Sequence, residues 1–272
     1  MTHIDTGTEQ LLCEIVDRVA VITLNRPEAR NALSDPLTIA LRRQIAERGR
    51  DSNVGALMIT GAGGAFCAGG DVKGMGGRRP AVANETADDR YEGIRARHHE
   101  IAGALYALRK PTLAALPGAA AGAGLAIALS CDMRIAARSA VLTTGYARIG
   151  LSGDYGIAWL LTRVVGPARA RELMLLGERI DAQRAEHLNL VNRVVDDTML
   201  REAALTLAHR LANGAAVATR YIKDNLDDAL RIDHATAIDR EAERLLRAMN
   251  SADHRQAVTA FVEKREPTFT GR

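Results

Sequence analysis

The sequence predicts an α/β fold with a parallel sheet in the first two-thirds of the chain and a helical last third. Apolar strand-like segments alternate with helical patterns as far as Gly150, and this alternation is typical of parallel strands joined by crossover helices. Beyond Gly150 the pattern is helical almost to the end, which predicts a separate helical layer. The 272 residues suit one such domain with a small appendage.

Short apolar segments between turn-forming or polar residues are the predicted strands. They are 19–24, 56–60, 112–116, 133–136 and 141–142. Ser34 is a good N-cap for a first helix, with Pro36 in its first turn. The predicted helices are 36–48, 91–109, 124–130, 155–165, 167–176, 181–187, 198–213, 215–228, 231–249 and 253–263. Segment 74–89 is rich in Gly, Pro and acidic residues without periodicity, so we expect a mobile surface segment there.

Composition excludes several classes of protein. The net charge of +3 is too small to indicate nucleic-acid binding, and no long basic block is present. Three widely spaced cysteines give neither a metal-binding spacing nor a disulfide framework, so we expect a reducing, cytoplasmic setting. The first ten residues lack the apolar core of a signal peptide. The least charged stretch, 111–131, is interrupted by Pro and Gly, so we expect no membrane span.

Two glycine-rich segments are the most informative part of the chain. They are 65–73, with the sequence AFCAGGDVK, and 117–126, with the sequence PGAAAGAGLA. Each follows an apolar strand-like run and ends where a helical pattern begins. One such cluster alone would indicate tight turns and close packing. Two strand-to-helix turns at this spacing can aim backbone N–H groups at one point, which predicts an oxyanion hole.

The spacing and flanks of these segments resemble those of the enoyl-CoA hydratase/isomerase (crotonase) family, and the resemblance extends from about Val19 to the C-terminus. It implies a crotonase-like spiral of ββα repeats, with residues 1–200 as the core and 201–272 as a C-terminal helical region for trimerisation. It also implies an acyl-CoA thioester substrate, with coenzyme A as part of that substrate and no separate cofactor or metal. The expected assembly is a homotrimer or a dimer of trimers.

The same resemblance assigns the two oxyanion donors. One is Gly70, which precedes Asp71, and the other is Ala123, where the family usually starts a buried helix with three glycines. Alanine keeps the N–H, so the hole requires only a negative φ at residue 123. Donors at about 2.7–3.1 Å from an enolate oxygen contribute on the order of 3–4 kcal/mol each.

Both glutamates that hydratases of this family use are missing here. The positions that match them are Ala126 and Tyr146. Moving the alignment by one or two residues does not bring a glutamate to either position, because neither 119–131 nor 139–153 contains one. Since adding water to an enoyl double bond takes two acid–base groups, these replacements argue against ordinary two-glutamate hydration.

One acidic residue, Asp154, remains in the expected neighbourhood. Family members that isomerise ring-derived or unsaturated acyl-CoAs, and the chlorobenzoyl-CoA dehalogenase branch, carry an aspartate at the matching position. A single carboxylate suffices for a 1,3-proton shift, because it can take a proton from one carbon and return it to another; it could also be a nucleophile on an activated ring. Asp154 is equally suited to cap the next helix, and Tyr146 is either a hydrogen-bond donor in the pocket or a packing residue.

Contacts with coenzyme A are also implied by the resemblance. The backbone at Ala68 would meet the adenine, Arg30 would lie near the phosphates unless it is simply solvated, and Lys264 would reach the nucleotide from a neighbouring subunit. His98 and His99 are expected to be solvated surface residues near segment 74–98, which would form the wall of the acyl pocket.

These observations predict a crotonase-fold enzyme that isomerises a double bond in an acyl-CoA, with Asp154 as the acid–base group. A ring-derived acyl group of the kind met in phenylacetate breakdown fits the same motif. One alternative is hydration or hydrolysis by a carboxylate that the sequence does not locate. Another is a weakly catalytic relative that binds CoA esters or serves as an assembly subunit.

Overall fold

The computed structural model describes residues 1–71 and 86–272, so most of segment 74–89 and the end of the first glycine-rich segment lie outside the described residues. The strands are β1 Thr2–Ile4, β2 Leu11–Val16, β3 Val19–Leu24, β4 Ala56–Gly61, β5 Ala65–Cys67, β6 Thr112–Leu116, β7 Ala119–Ala121, β8 Met133–Ala137, β9 Val141–Thr143, β10 Ile180–Asp181 and β11 Arg193–Val195. The helices are α1 Asp35–Arg50, α2 Ala87–His98, α3 Ala104–Ala107, α4 Ala123–Leu129, α5 Ile157–Leu176, α6 Ala182–His187, α7 Leu200–Ala212, α8 Ala216–Asp228, α9 His234–Met249 and α10 Ala252–Val262. A π-helical turn, His99–Gly103, joins α2 to α3.

A seven-stranded sheet forms the centre of the described part of the chain, in the order β1-β2-β3-β4-β6-β8-β11. Strands β3, β4, β6, β8 and β11 are parallel, whereas β1 and β2 add to one edge in antiparallel fashion. A second sheet has the order β10-β9-β7-β5, in which β5, β7 and β9 are parallel. The predicted α/β fold with parallel strands is confirmed.

Side chains alternate between the two faces of the large sheet, as extended strands require. Val19 and Val21 of β3 lie on the face that α7 covers, and Leu200 and Ala204 of that helix belong to the same buried cluster. Ile22 lies on the opposite face, in the larger core shared with α1, α4 and the small sheet. Helix α7 therefore packs directly on the sheet, and the predicted boundary at residue 200 falls at its first residue.

Helices α8, α9 and α10 form a C-terminal helical layer. Helices α8 and α9 contain no fully buried residue, whereas α10 buries Asp253 and Ala260. The Asp253 carboxylate accepts hydrogen bonds from the N–H groups of Thr270 and Gly271, at 2.7 and 2.9 Å, and holds the last residues against α10. Large apolar side chains remain exposed on this layer: Ile222, Leu226, Ile238, Leu245, Leu246, Met249, Val258, Phe261 and Val262.

The structure refines several predicted elements. The predicted helices 155–165 and 167–176 meet at a kink inside α5, where Gly166 has a φ of 75° and Pro167 follows. Helix α2 begins before the predicted Tyr91, because Thr86 and Asp89 form a capping box at its start. The predictions omit the six-residue β2 and the shorter strands β1, β5, β7, β10 and β11, of which β10 and β11 lie beyond Gly150, where the sequence predicts only helices. Segments of two or three residues carry little periodicity and become strands by pairing with neighbours.

Candidate active site

The two glycine-rich segments meet at one end of the small sheet. Strands β5 and β7 are parallel neighbours, so the turns that follow them lie side by side. Gly69, in the first turn, has a φ of +90°, and a Cβ there would lie 2.8 Å from the Ala121 carbonyl oxygen and 3.3 Å from the Ala123 nitrogen. Glycine permits both this φ and this close approach, which makes the backbones of Gly70 and Ala123 neighbours.

The N–H groups of the two predicted donors, Gly70 and Ala123, take no part in the hydrogen bonds of the neighbouring strands and helix. Gly70 forms an isolated parallel bridge with Leu33, whose N–H donates to the Gly69 carbonyl at 2.8 Å. Such a bridge uses the backbone groups that flank Gly70, so the N–H of Gly70 itself points away from Leu33. Ala123 is the first residue of α4, and the first N–H groups of a helix have no acceptor within it. Within the described ranges, secondary structure occupies neither N–H group.

The order Gly122-Ala123-Gly124 has a separate physical reason at each position. Gly122 has a φ of +52°, in the left-handed region that glycine tolerates best. Gly124 packs against β5, where an added Cβ would lie 2.3 Å from the Cys67 carbonyl oxygen. Ala123 is helical and has a negative φ. The conformational requirement stated for residue 123 is therefore met, and alanine fits there.

The Asp154 carboxylate lies beside this helix start. Its Oδ1 accepts a hydrogen bond from the Tyr146 hydroxyl, and that hydroxyl is 3.7 Å from the position a Gly122 Cβ would occupy. The capping alternative for Asp154 is wrong, because the N-cap of α5 is Gly156 and no side chain caps this helix. The Tyr146 side chain is buried and is a hydrogen-bond donor as well as a packing residue.

Burial sets the protonation chemistry of this pair. Desolvation raises the pKa of Asp154, while the Tyr146 hydrogen bond and the nearby His98 oppose that rise. The pKa of Tyr146 is raised by burial and by the adjacent Asp154, so this side chain stays a neutral phenol and donates its proton to the carboxylate. A carboxylate with a raised pKa is a better base than an exposed one.

Two residues that the sequence analysis did not place in a site lie next to Asp154. The His98 ring is 4.3 Å from the Tyr155 ring, centroid to centroid, at an interplanar angle of 40°. Tyr155 is buried and has a φ of +48°, a strained conformation for a bulky residue. The expectation of solvation holds for the exposed His99 and is wrong for the half-buried His98.

The sequence did contain a signal for His98. It precedes Ile101, Ala102 and Leu105 by three, four and seven residues, which is the spacing of one helix face, and those three residues are buried. Cys67, close to the same site, is inert: burial raises the pKa of its thiol to about 12, and its Sγ lies 3.1 Å from the Asn31 carbonyl oxygen.

The residues predicted to bind coenzyme A fall into two groups. The Ala68 N–H donates to the Arg30 carbonyl oxygen at 2.9 Å, so these two residues are adjacent. Arg30 is exposed and has a φ of +50°, at the end of the 3₁₀ turn Pro27–Ala29. Lys264 is exposed in the turn after α10, and none of the contacts found within the described residues joins it to Ala68 or Arg30.

Two other kinds of feature are absent from the part of the chain that the structure describes. No three or more His, Cys, Asp or Glu side chains are grouped so that they could hold a metal ion. No helix there combines the length and apolar character needed to cross a membrane.

Comparison with known proteins identifies the family. Residues 14–272 match the family model for enoyl-CoA hydratase/isomerase. The chain is 36% identical over 264 residues to the 1,2-epoxyphenylacetyl-CoA isomerase of Escherichia coli K12, covering 97% of this chain and 99% of that one. It is 38% identical over 263 residues to a probable enoyl-CoA hydratase of Rhodobacter capsulatus, covering 95% and 97%.

Solved structures agree with this result. The crystal structure of a putative enoyl-CoA hydratase from Streptomyces coelicolor A3(2) superposes with a TM-score of 0.89 at 38% identity, covering 97% of this chain and 94% of that one. The likeness therefore extends over nearly the whole length of both chains. The chain belongs to the enoyl-CoA hydratase/isomerase family and has its crotonase fold.

Proposed function

We propose that this protein is an acyl-CoA isomerase that moves a double bond by a 1,3-proton shift. Gly70 and Ala123 would donate their N–H groups to the thioester oxygen, and Asp154 would carry the proton. The observation that carries the proposal is the Asp154 carboxylate, which is half-buried beside the start of α4 and held by a hydrogen bond from Tyr146. The hydratase glutamates are replaced by Ala126, which is buried within α4, and by Tyr146 itself.

The proposed reaction balances with one carboxylate. Ionised Asp154 takes a proton from C2 of a 3-enoyl-CoA, and the electron pair moves through the double bond system to give a dienolate. The Gly70 and Ala123 N–H groups stabilise the negative charge on the thioester oxygen. Protonated Asp154 then returns the proton to C4, which leaves the conjugated 2-enoyl-CoA. These steps call for no cofactor beyond the coenzyme A of the substrate.

The names of relatives support both the preferred reaction and its alternative. A relative named as the isomerase of 1,2-epoxyphenylacetyl-CoA supports a ring-derived acyl group as the substrate class. Relatives named as enoyl-CoA hydratases favour hydration as the second candidate, with an acid–base group other than the two family glutamates. A protein that binds CoA esters without turning them over is the third.

A paired assay with a 2-enoyl-CoA and a 3-enoyl-CoA separates these candidates, with 1,2-epoxyphenylacetyl-CoA as a third substrate. Isomerisation predicts conversion of the 3-enoyl form to the conjugated form, or rearrangement of the epoxide, without a hydroxyacyl product. Efficient hydration of the 2-enoyl form would contradict the one-carboxylate reaction. Tight CoA-ester binding without turnover of any of the three would favour the binding protein.

We expect Tyr146→Phe to move the acid limb of the kcat/KM profile to higher pH. The Tyr146 hydroxyl stabilises the ionised form of Asp154, so its loss raises the carboxyl pKa further, and activity falls more at pH 6 than at pH 8. Tyr106→Phe is the matched control, because the Tyr106 ring packs edge-on against Trp159 outside this site. If the acid limb of the kcat/KM profile is at the same pH in Tyr146→Phe as in the wild type, Tyr146 acts only as a packing residue.

We further propose that the nucleotide end of the substrate lies at Arg30 and Ala68, and that Lys264 reaches it from a neighbouring copy in a trimer or a dimer of trimers. The apolar stripe on α9 supports self-association: Ile238, Leu245 and Leu246 are 53%, 64% and 61% exposed in the single chain. The buried, unpaired state of all three cysteines is compatible with the proposed cytoplasmic location.

Light scattering after size exclusion should give three or six times the 29.2 kDa chain mass. Leu245→Glu, which places a charge in the stripe, should shift the protein toward the monomer mass. Arg247→Gln, on the side of the same helix away from the stripe, is the control and should leave the assembly unchanged. A monomeric wild-type protein would contradict both the assembly and the role of Lys264.

A further inference from the structure

We propose that His98 is a second acid–base group of this site, working beside Asp154 on the acyl chain. The inference rests on the proposed isomerase function and adds to it a residue that neither the family motifs nor the hydratase glutamates supply. It follows from the position of one helix face, from a strained tyrosine and from the charges around the imidazole.

The helix that carries His98 turns this residue toward the protein body. Ile101, Ala102 and Leu105, on the same face, are buried in the main core. His99, which is about 100° further around the helix, is exposed. The π-helical turn His99–Gly103 begins directly after His98, and such turns occur frequently at functional sites.

Tyr155 links the imidazole to the carboxylate. Its ring packs against His98 at 4.3 Å, and its backbone adjoins Asp154. The φ of +48° at Tyr155 is unfavourable for a bulky side chain and persists only where the surroundings enforce it. The strained residue therefore holds His98 and Asp154 in one neighbourhood, so that both can face the same ligand.

The surroundings of His98 act on its pKa in opposite directions, with a net shift downward. Burial lowers its pKa, and Arg97 and His99 on its own helix lower it further, whereas Asp154 opposes them from across the site. Arg97 is itself paired with Asp35 at 3.5 Å. Among the described residues, the Tyr155 ring packs on the imidazole, and the Asp154 charge acts on it from across the site.

A second acid–base group changes the path that the protons take, but the overall reaction stays the same. Asp154 takes the proton from C2, and His98, in the molecules whose imidazole is protonated, delivers its proton to C4, so the carboxylate ends protonated and the imidazole neutral. Loss of the proton from Asp154 to water and uptake of a proton from water by His98 restore the starting state. A one-carboxylate reaction would carry the C2 hydrogen to C4, whereas the two-group reaction puts solvent hydrogen there.

The first test does not depend on turnover. NMR titration of the imidazole resonances, assigned with His98→Asn and His99→Asn, should show the His98 pKa falling in Asp154→Asn, because an attractive charge has been removed. Adding butyryl-CoA, which is saturated and cannot isomerise, should shift the His98 resonance and leave that of His99 in place. An unchanged His98 titration in Asp154→Asn, or a resonance insensitive to butyryl-CoA, would overturn the proposal.

The second test uses the 3-enoyl-CoA reaction in deuterated water. Wild-type protein should place solvent deuterium at C4, and His98→Asn should lose about 10²-fold in kcat and return the C2 hydrogen to C4. His99→Asn should match the wild type in both respects. A His98→Asn variant with the wild-type rate and labelling would overturn the role of His98. Absence of all turnover in the wild type would contradict the isomerase function alone, and the butyryl-CoA shift would then decide whether His98 belongs to the site.

Discussion

Asp154→Asn is expected to lower kcat for isomerisation by about 10²–10⁴-fold, the range typical of a lost general base. Asparagine keeps an oxygen that can accept the Tyr146 hydrogen bond, so the geometry around the hydroxyl is retained, but it cannot take up the C2 proton. Affinity for the CoA ester should change little, because the Gly70 and Ala123 N–H groups and the residues near Ala68 are untouched. Stopped assays for kcat and calorimetric titration with butyryl-CoA measure the two effects separately.

The pH dependence of the melting temperature tests whether Asp154→Asn still folds normally, because the direction of the expected change is known. Burial raises the pKa of folded Asp154 above its unfolded value, so the stability associated with its protonated form is present below the unfolded pKa and is lost as pH rises through the folded pKa. Asp154→Asn should therefore melt at the same or a higher temperature than the wild type at pH 8, and the difference should shrink toward acidic pH.

A matched substitution at another aspartate tests whether the loss of kcat is specific to the Asp154 carboxylate. Asp233→Asn alters the N-cap of α9, away from the site, and asparagine caps equally well, so activity should be retained. Wild-type turnover by Asp154→Asn would remove Asp154 from the mechanism. A lower melting temperature at pH 8 would instead mean that its charged form stabilises the fold.

Gly124→Ala is expected to lower the free energy of unfolding by about 3 kcal/mol, at the upper end for overpacking a tight core. A Cβ at this position would lie 2.3 Å from the Cys67 carbonyl oxygen and 2.7 Å from the Cys67 Cβ. Because β5 and the first turn of α4 are both buried, one of them has to move. That movement would also separate the two oxyanion donors, so we expect activity to fall with stability.

The neighbouring substitution Ala123→Gly is the control for Gly124→Ala. Residue 123 has ordinary helical geometry, and the donor role proposed for it uses only its backbone, so glycine should cost at most about 1 kcal/mol and leave activity close to the wild type. Urea denaturation and the isomerase assay measure both variants. Equal losses in the two would contradict the assignment of separate roles to Ala123 and Gly124.

Much of the fold was predictable from local patterns. Ser34 caps α1 as predicted, through a hydrogen bond from the Leu37 N–H at 3.3 Å, and the pattern after Gly150 marks the helices because their apolar spacing is long enough to recognise. Strands β5 and β7 escaped prediction because their three residues are strands only through the pairing that joins them. The seven-stranded order of the large sheet likewise depends on contacts between distant segments.

For the site, the sequence by itself determined which chemical groups are present. It places glycines where two backbones must approach closely and keeps a backbone N–H at Ala123. It has no glutamate at the hydratase positions and leaves one candidate carboxylate. Only the tertiary structure decided which groups that carboxylate contacts. It pairs Asp154 with Tyr146 rather than with the start of α5, and it brings His98 from a distant helix against Tyr155. The physical reason is that residue types are local properties, whereas burial and hydrogen-bond partners arise when distant segments pack together.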